Sequence, residues 1–229
     1  MFPARSAYIG RVETPRRPAR RDQQRNRQAL LRAAREEFRQ RGIDAPLDAI
    51  ARRAGVSNAT LYRHFPQRRD LVAEILIGNL ERSAAELAVA ESSPSAWDGL
   101  VGYLTWHFAA QVDDPAYMSG LRAVPAGENE QVDRLRNGTN EALRVLVERA
   151  KAEGALRADR WIEDIYLALA LNETLGRTGF ADPHQASRRF LELTLTSLAA
   201  RPSPADDSGE PDTVLSLRRT LGRQLAGLP

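Results

Sequence analysis

The stretch LDAIARRAGVSNATLYRHF at residues 47–65 decides the fold. Leu47, Ile50, Ala51 and Ala54 recur at helical spacing and give a short helix an inward face. Pro46 suits the first turn of that helix, where a missing N–H costs nothing. Gly55 follows as the residue able to take the positive φ of a tight interhelical turn. Ser57 or Asn58 then caps a second short helix, which runs to about Phe65 and is closed by Pro66. Ala51 is small enough for the second helix to cross close to it. Ile50, Val56 and Leu61 close a small core beneath, so Asn58, Ala59, Thr60, Arg63 and His64 project outward. Two helices joined by a three-residue turn in this way form a helix-turn-helix.

In such a unit the N-terminal part of the second helix enters the major groove, where each base pair shows its own pattern of donors and acceptors. Asn58, Thr60 and Arg63 are chemically suited to base edges. Tyr62, His64 and Arg68 are suited to phosphates, helped by the positive dipole end of the helix that begins near Arg68. Charge supports double-stranded DNA as the partner. The chain has 33 Lys+Arg against 30 Asp+Glu, yet residues 1–72 hold 17 Arg against 7 acids, a net +10, and residues 73–229 hold 16 bases against 23 acids, a net −7. A compact basic segment on a larger acidic body suits a polyanion reader joined to a part that must not adhere to polyanions. The bland alternative is an ordinary solvated surface.

Composition removes other classes. With 229 residues and 42% apolar content the chain can bury a core. The absence of cysteine excludes disulfides, thiolate metal sites and thiol nucleophiles, and suits a reducing cytoplasm. No apolar run is long enough to cross a bilayer, and the N-terminus lacks the apolar stretch of a secretory signal, so neither a membrane partner nor export is expected.

The apolar periodicity predicts an all-α chain of about nine helices. Residues 1–24, with Pro3, Pro15, Pro18 and six arginines, read as a disordered basic arm. Residues 25–72 form a three-helix DNA-binding domain, whose first helix runs from about Arg25 to Gln40 and ends before Gly42. A long fourth helix from Arg68 or Asp70 to about Ala90 links it to a larger helical domain over 73–200. That domain ends in a helix capped by Asp182 and Pro183. Residues 201–229 read as a mobile tail, with Val214, Leu217, Leu221 and Leu225 on one face of a possible short amphipathic helix.

The run from Leu47 to Phe65, followed by Arg68 and Leu71, resembles the N-terminal domain of tetracycline-repressor (TetR) family regulators over roughly residues 26–72. Their pattern I-A-x-x-A-G-V-S-x-x-T-L-Y-x-H-F is met residue for residue. The resemblance implies a DNA-contacting set of Leu47, Asn58, Ala59, Thr60, Tyr62, Arg63, His64 and Arg68. It also implies a homodimer built from helices eight and nine, a small, largely apolar effector in the C-terminal domain, and release from a palindromic operator when that effector binds. Most such proteins repress. Pro46 stands where the family often has Ser or Thr touching phosphate, and Ala59 replaces a frequent Gly, so its methyl is free to meet a thymine methyl. Arg68 keeps the charge of the usual Lys, while Arg69 adds a cation at a helix start, where the dipole disfavours it.

Beyond the N-terminal domain the candidates come from residue chemistry. Helix five is apolar on more than one side and therefore central. Its Trp97, Tyr103, Trp106 and His107, with Met118, Arg122 and Asn172, are candidate pocket residues, set against plain core packing. Trp161, Ile165 and Leu169 on helix eight and Phe190, Leu193, Thr194 and Ser197 on helix nine are candidate dimer contacts. Two recognition helices about 34–36 Å apart would match one DNA turn. The three histidines are scattered and no catalytic motif is present, so no catalytic residue, metal or cofactor is expected. An enzyme with a site assembled from distant residues and an architectural, sequence-blind DNA coater stand as rival functions.

Overall fold

The computed structural model describes residues 17–114, 116–175 and 179–200. Among these it forms nine helices and a single isolated bridge between Leu156 and Ala199. In chain order they are α1 (Arg17–Arg41), α2 (Leu47–Ala54), α3 (Asn58–His64), α4 (Arg68–Glu91), α5 (Ala96–Asp113), α6 (Ala116–Ala123), α7 (Glu130–Ala152), α8 (Ile162–Leu175) and α9 (Pro183–Leu198).

The helix ends follow local chemistry. Gly55 closes α2 at φ +69°, and the Val56 N–H behind it reaches the Ala51 carbonyl at 3.0 Å. Ser57 caps α3, its hydroxyl accepting from the Thr60 N–H at 3.2 Å. Gln67 and Asp70 form a capping box at the start of α4. Ser95, Asn129 and Asp182 cap α5, α7 and α9, the last with Pro183 in its first turn.

One expectation is corrected here. Helix α1 starts at Arg17, eight residues ahead of Arg25, so residues 17–24 of the expected arm are helical; residues 1–16 lie outside the described residues, as does the expected terminal face at Val214 to Leu225. Pro18 falls in the first helical turn, where its missing N–H breaks no bond. Residues 21–25 are all exposed: their lack of apolar periodicity reflects the lack of a packing partner, not the lack of a helix.

Two cores are strung along α4. Leu30, Ala34 and Phe38 of α1, Ile50 and Leu61 of the helix-turn-helix, and Leu71 to Leu80 of α4 make the first. Val124 and Val132, which flank the α6–α7 connection, are buried in that same cluster. The second joins Leu87 and Ala90 of α4 to Leu100, Leu104 and Phe108 of α5, Leu146 of α7, Ile165 of α8 and Leu191 of α9. Gly99 lets α5 cross the end of α4, since a Cβ there would stand 2.3 Å from the Ala90 carbonyl oxygen. No described helix is long and apolar enough to cross a membrane.

Candidate nucleic-acid interface and internal cavity

The buried side of the helix-turn-helix is fixed by Ile50, Ala51 and Leu61, each almost wholly buried. That fixes what α3 presents outward. Asn58, Ala59, Tyr62 and Arg63 are exposed, Tyr62 by 51%. Thr60 is half-buried, and its hydroxyl lies 3.0 Å from that of Ser57. An exposed phenol, amide and guanidinium on one short helix offer donors and acceptors of the kind that base edges and phosphates take.

Three of the expected DNA-contacting residues are placed differently. Leu47 is half-buried against the first core, because the start of α2 lies over it. Arg68 is half-buried, and its Nη1 donates to the carbonyls of Ile43 (2.9 Å) and Ala45 (2.7 Å), so this arginine ties α4 to the α1–α2 turn. His64 is half-buried with Nε2 shielded from solvent. Burial first, then the charges of Arg63 and Arg27, lower its pKa, so it is held neutral. Arg27, not singled out from the sequence, lies 4.7 Å from the Phe65 ring centroid and pairs with Glu74 at 2.9 Å, joining α1, α3 and α4.

Inside the larger domain a cavity of about 340 Å³ lies between α4, α5, α6, α7 and α8. Leu80, Leu121, Leu143 and Leu169 supply its apolar walls, and Ser83, Tyr103, His107, Arg136, Thr139, Asn140 and Tyr166 its polar groups. Tyr103 and His107 were expected there. The Tyr103 hydroxyl sits 3.0 Å from Ser83 Oγ and 3.1 Å from His107 Nδ1, forming a neutral hydrogen-bonded chain. Burial pushes the His107 pKa down to about 4. The Tyr166 hydroxyl donates to Asn140 Oδ1 at 3.2 Å, and burial, then Glu163, raises its pKa, keeping it protonated.

Of the other expected pocket residues, Trp97, Trp106, Arg122 and Asn172 do not line this cavity. Trp97 and Trp106 pack against the second core, Trp106 with its ring 6.2 Å from Tyr103 and 5.6 Å from His107. Asn172 is wholly buried in a different network: its amide donates to the Phe108 carbonyl and to Gln111 Oε1, and its oxygen accepts from Ser187. That network joins α5, α8 and α9. Arg122 is exposed and makes a two-pronged pair with the buried Glu173, 3.0 and 2.8 Å, which raises its pKa. The side chain of Met118 lies outside the described residues. The lining of α7 went unnoticed in the sequence, although Arg136, Thr139, Asn140 and Leu143 recur at three- and four-residue steps on one face.

On the opposite side of α8, a groove between α8 and α9 carries exposed apolar side chains. Leu167, Leu171 and Leu193 are about half exposed and Trp161 is 62% exposed. Of the expected dimer contacts, Trp161, Leu193 and Ser197 are exposed, Phe190 is half-buried, and Thr194 borders the groove although largely buried. Ile165 and Leu169 are corrections: both turn inward, Ile165 to the core and Leu169 to the cavity wall, because they lie on the face of α8 opposite Leu167 and Leu171. Among the described residues no group of three or more His, Cys, Asp or Glu is arranged to hold a metal.

Residues 30–75 match the family model for bacterial regulatory proteins of the tetR family. A TetR transcriptional regulator of Streptomyces coelicolor is 29% identical, the alignment covering 77% of this chain and 99% of that one at a TM-score of 0.54. The ketosteroid transcriptional regulator KstR2 of Mycobacterium tuberculosis, 20% identical over 76% of this chain and 94% of its own, superposes at 0.60. A TetR-family regulator of Agrobacterium tumefaciens, 18% identical over 77% and 99%, superposes at 0.61. These last two show a shared fold. Residues 30–75 are thus a helix-turn-helix of the tetR family, set on an all-helical body whose fold is that of solved TetR-type regulators, and the chain is a DNA-binding transcriptional regulator.

Proposed function

We propose that this protein is a repressor that binds a palindromic operator as a homodimer and leaves it when a small, largely apolar effector occupies the cavity between α4 and α8. The observation that carries this reading is Leu121, which lines the cavity and also packs against the core beneath the helix-turn-helix. Filling one side of that residue loads the other. Tyr62, Arg63, Asn58 and Ala59 supply the reading face, with Thr60 behind them, and the exposed apolar groove of α8 and α9 supplies the surface that a second copy would cover. A cavity with apolar walls and a few converging polar groups favours an effector-responsive regulator over an architectural coater, which has no use for one.

The test is a salt titration on a palindromic duplex recovered by in vitro selection and on random duplex. A regulator shows a large affinity ratio between the two at every salt concentration, whereas a coater binds both alike with a steep salt slope. Tyr62→Ala and Arg63→Ala should each weaken selected-site binding by about 1–3 kcal/mol without altering thermal stability. Unchanged affinity in both would remove α3 from the groove.

A further inference from the structure

Among the described residues the cavity is charged in one sense only. Arg136 is the one Lys, Arg, Asp or Glu among the described residues of its lining, and the hydroxyls of Ser83, Tyr103 and Tyr166 and the His107 ring are neutral. The position of Arg136 is unusual in a second way. Its Nη2 donates to the Val124 carbonyl at 2.8 Å and to the Leu121 carbonyl at 3.4 Å, just past and within the last turn of α6. A guanidinium there satisfies carbonyls that a helix end leaves open and meets the negative end of the dipole. Its partner acid, Asp133, is 3.5 Å away and shares its carboxylate with the Gly127 N–H. Both residues whose carbonyls Arg136 holds belong to the first core, Val124 buried within it and Leu121 packed against it.

From this arrangement we infer that the effector is a small apolar monocarboxylate, and that Arg136 senses it by exchanging the α6 carbonyls for the ligand's carboxylate. The inference rests on the reading of the cavity as the effector site. An amide hydrogen of Asn140, one turn along α7, is the second donor, since the Asn140 oxygen is taken by Tyr166. Leu143 lies two turns from Arg136, about 10 Å along the axis, and shares the second core with Leu169, so the wall runs from a charged end to an apolar one. A carboxylate is the better partner for the guanidinium because an ionised, two-pronged pair is stronger than a bond to a neutral carbonyl. Once Arg136 turns to it, the end of α6 loses its cation, and Leu121 and Val124 are freed to shift beneath α1 and α4. A cationic ligand meets Arg136 as a like charge, and a neutral ligand leaves the α6 latch closed.

The experiment uses the full-length protein and three matched series: straight-chain carboxylates from hexanoate to dodecanoate with naphthalene carboxylates, their primary amides, and the corresponding amines. Binding is read from tryptophan emission, to which Trp106 beside Tyr103 and His107 contributes, and from thermal shift. Affinity for the selected duplex is followed by anisotropy. Carboxylates are expected to bind at least about tenfold more tightly than amides, amines not at all, and carboxylates alone to weaken DNA binding. Arg136→Gln should erase the preference for carboxylate while keeping amide affinity, and should weaken DNA binding without ligand. Arg136→Lys, which keeps the charge and loses the fork, should retain part of the preference and guards against misfolding of the glutamine variant. Amides binding as well as carboxylates would overturn the anion assignment and leave the effector site standing. Carboxylates that bind without changing DNA affinity would overturn the latch. Failure of all three series to bind would overturn the effector site itself.

Discussion

Arg53 Nε donates to Glu37 Oε1 across 2.6 Å, and this pair fastens α2 of the reading unit to α1. Glu37 is buried, while Arg53 is part exposed, so the two partners are not equivalent. Removing the arginine leaves a buried carboxylate with Arg41, 3.2 Å away, as its remaining ionic partner. Removing the charge of Glu37 leaves an arginine that water can solvate. Arg53→Ala should therefore cost about 1.5–3 kcal/mol in urea unfolding, and Glu37→Gln, which keeps an acceptor at Oε1, clearly less. Equal losses would mean that the pair acts through charge alone.

The reading unit was legible in the sequence because its constraints are local. Gly55, Ser57 and Pro66 mark turns that no distant contact has to supply, and the ends of α2 and α3 fall where those residues put them. The cavity was legible only in part. Tyr103 and His107 stand out as polar groups on a central helix, but Arg136 and Asn140 look like any solvated charge and amide on an amphipathic helix. Their facing the cavity depends on how α7 packs on α4, which is tertiary. Asn172 misled for the converse reason: an amide in an apolar run signals burial with partners, and whether those are ligand or protein is decided by Gln111 and Ser187 from two other helices. Arg68 resembled a phosphate contact until the carbonyls of Ile43 and Ala45 came within its reach.

The buried His107 makes stability depend on pH. Its pKa falls from 6.5 to about 4 on folding, from burial, so between those values the unfolded chain binds a proton that the folded chain does not. Stability then falls as the pH is lowered through this window, by up to about 1.4 kcal/mol per pH unit, and is unaffected by this group above it. Thermal unfolding from pH 7.5 to 4.5 should show His107→Gln losing less stability on acidification than the parent. Parallel curves would mean that His107 is protonated in the folded state.

The Asn172 network predicts a loss confined to the body. Asn172→Leu leaves Gln111 Oε1 without the amide that donates to it and leaves the Ser187 hydroxyl with the longer bond to the Phe108 carbonyl, 3.4 Å, both in places closed to solvent. The orphaned Gln111 oxygen alone costs about 1–3 kcal/mol. The expected result is a lower Tm with unchanged selected-site affinity at low temperature, measured by calorimetry and anisotropy. A variant that keeps its Tm and loses ligand response would return Asn172 to the effector site.

The groove of α8 and α9 tests assembly directly. Leu193 is 54% exposed and Leu167 59%, and between them lie Leu171 and the half-buried ring of Phe190. An apolar strip of this kind gains when a second copy covers it, at about 25 cal/mol per Å² of apolar surface removed from water. A carboxylate at its centre would lose its hydration in the closed interface, a cost of several kcal/mol; Arg160 in the groove lining is already held by Asp159 and the Ser197 carbonyl. Because Leu193 is exposed in the protomer, Leu193→Glu should leave the fold and its circular dichroism unchanged. Sedimentation should show a monomer where the parent is expected to sediment as a dimer. Two reading heads joined on one body hold a palindrome far more tightly than one head does, since the second binds at the high effective concentration set by the first. The variant should therefore lose about a hundredfold or more in affinity for the palindrome and little for a single half-site. A variant that sediments with the parent and keeps its affinity would place the two-fold axis elsewhere on the molecule.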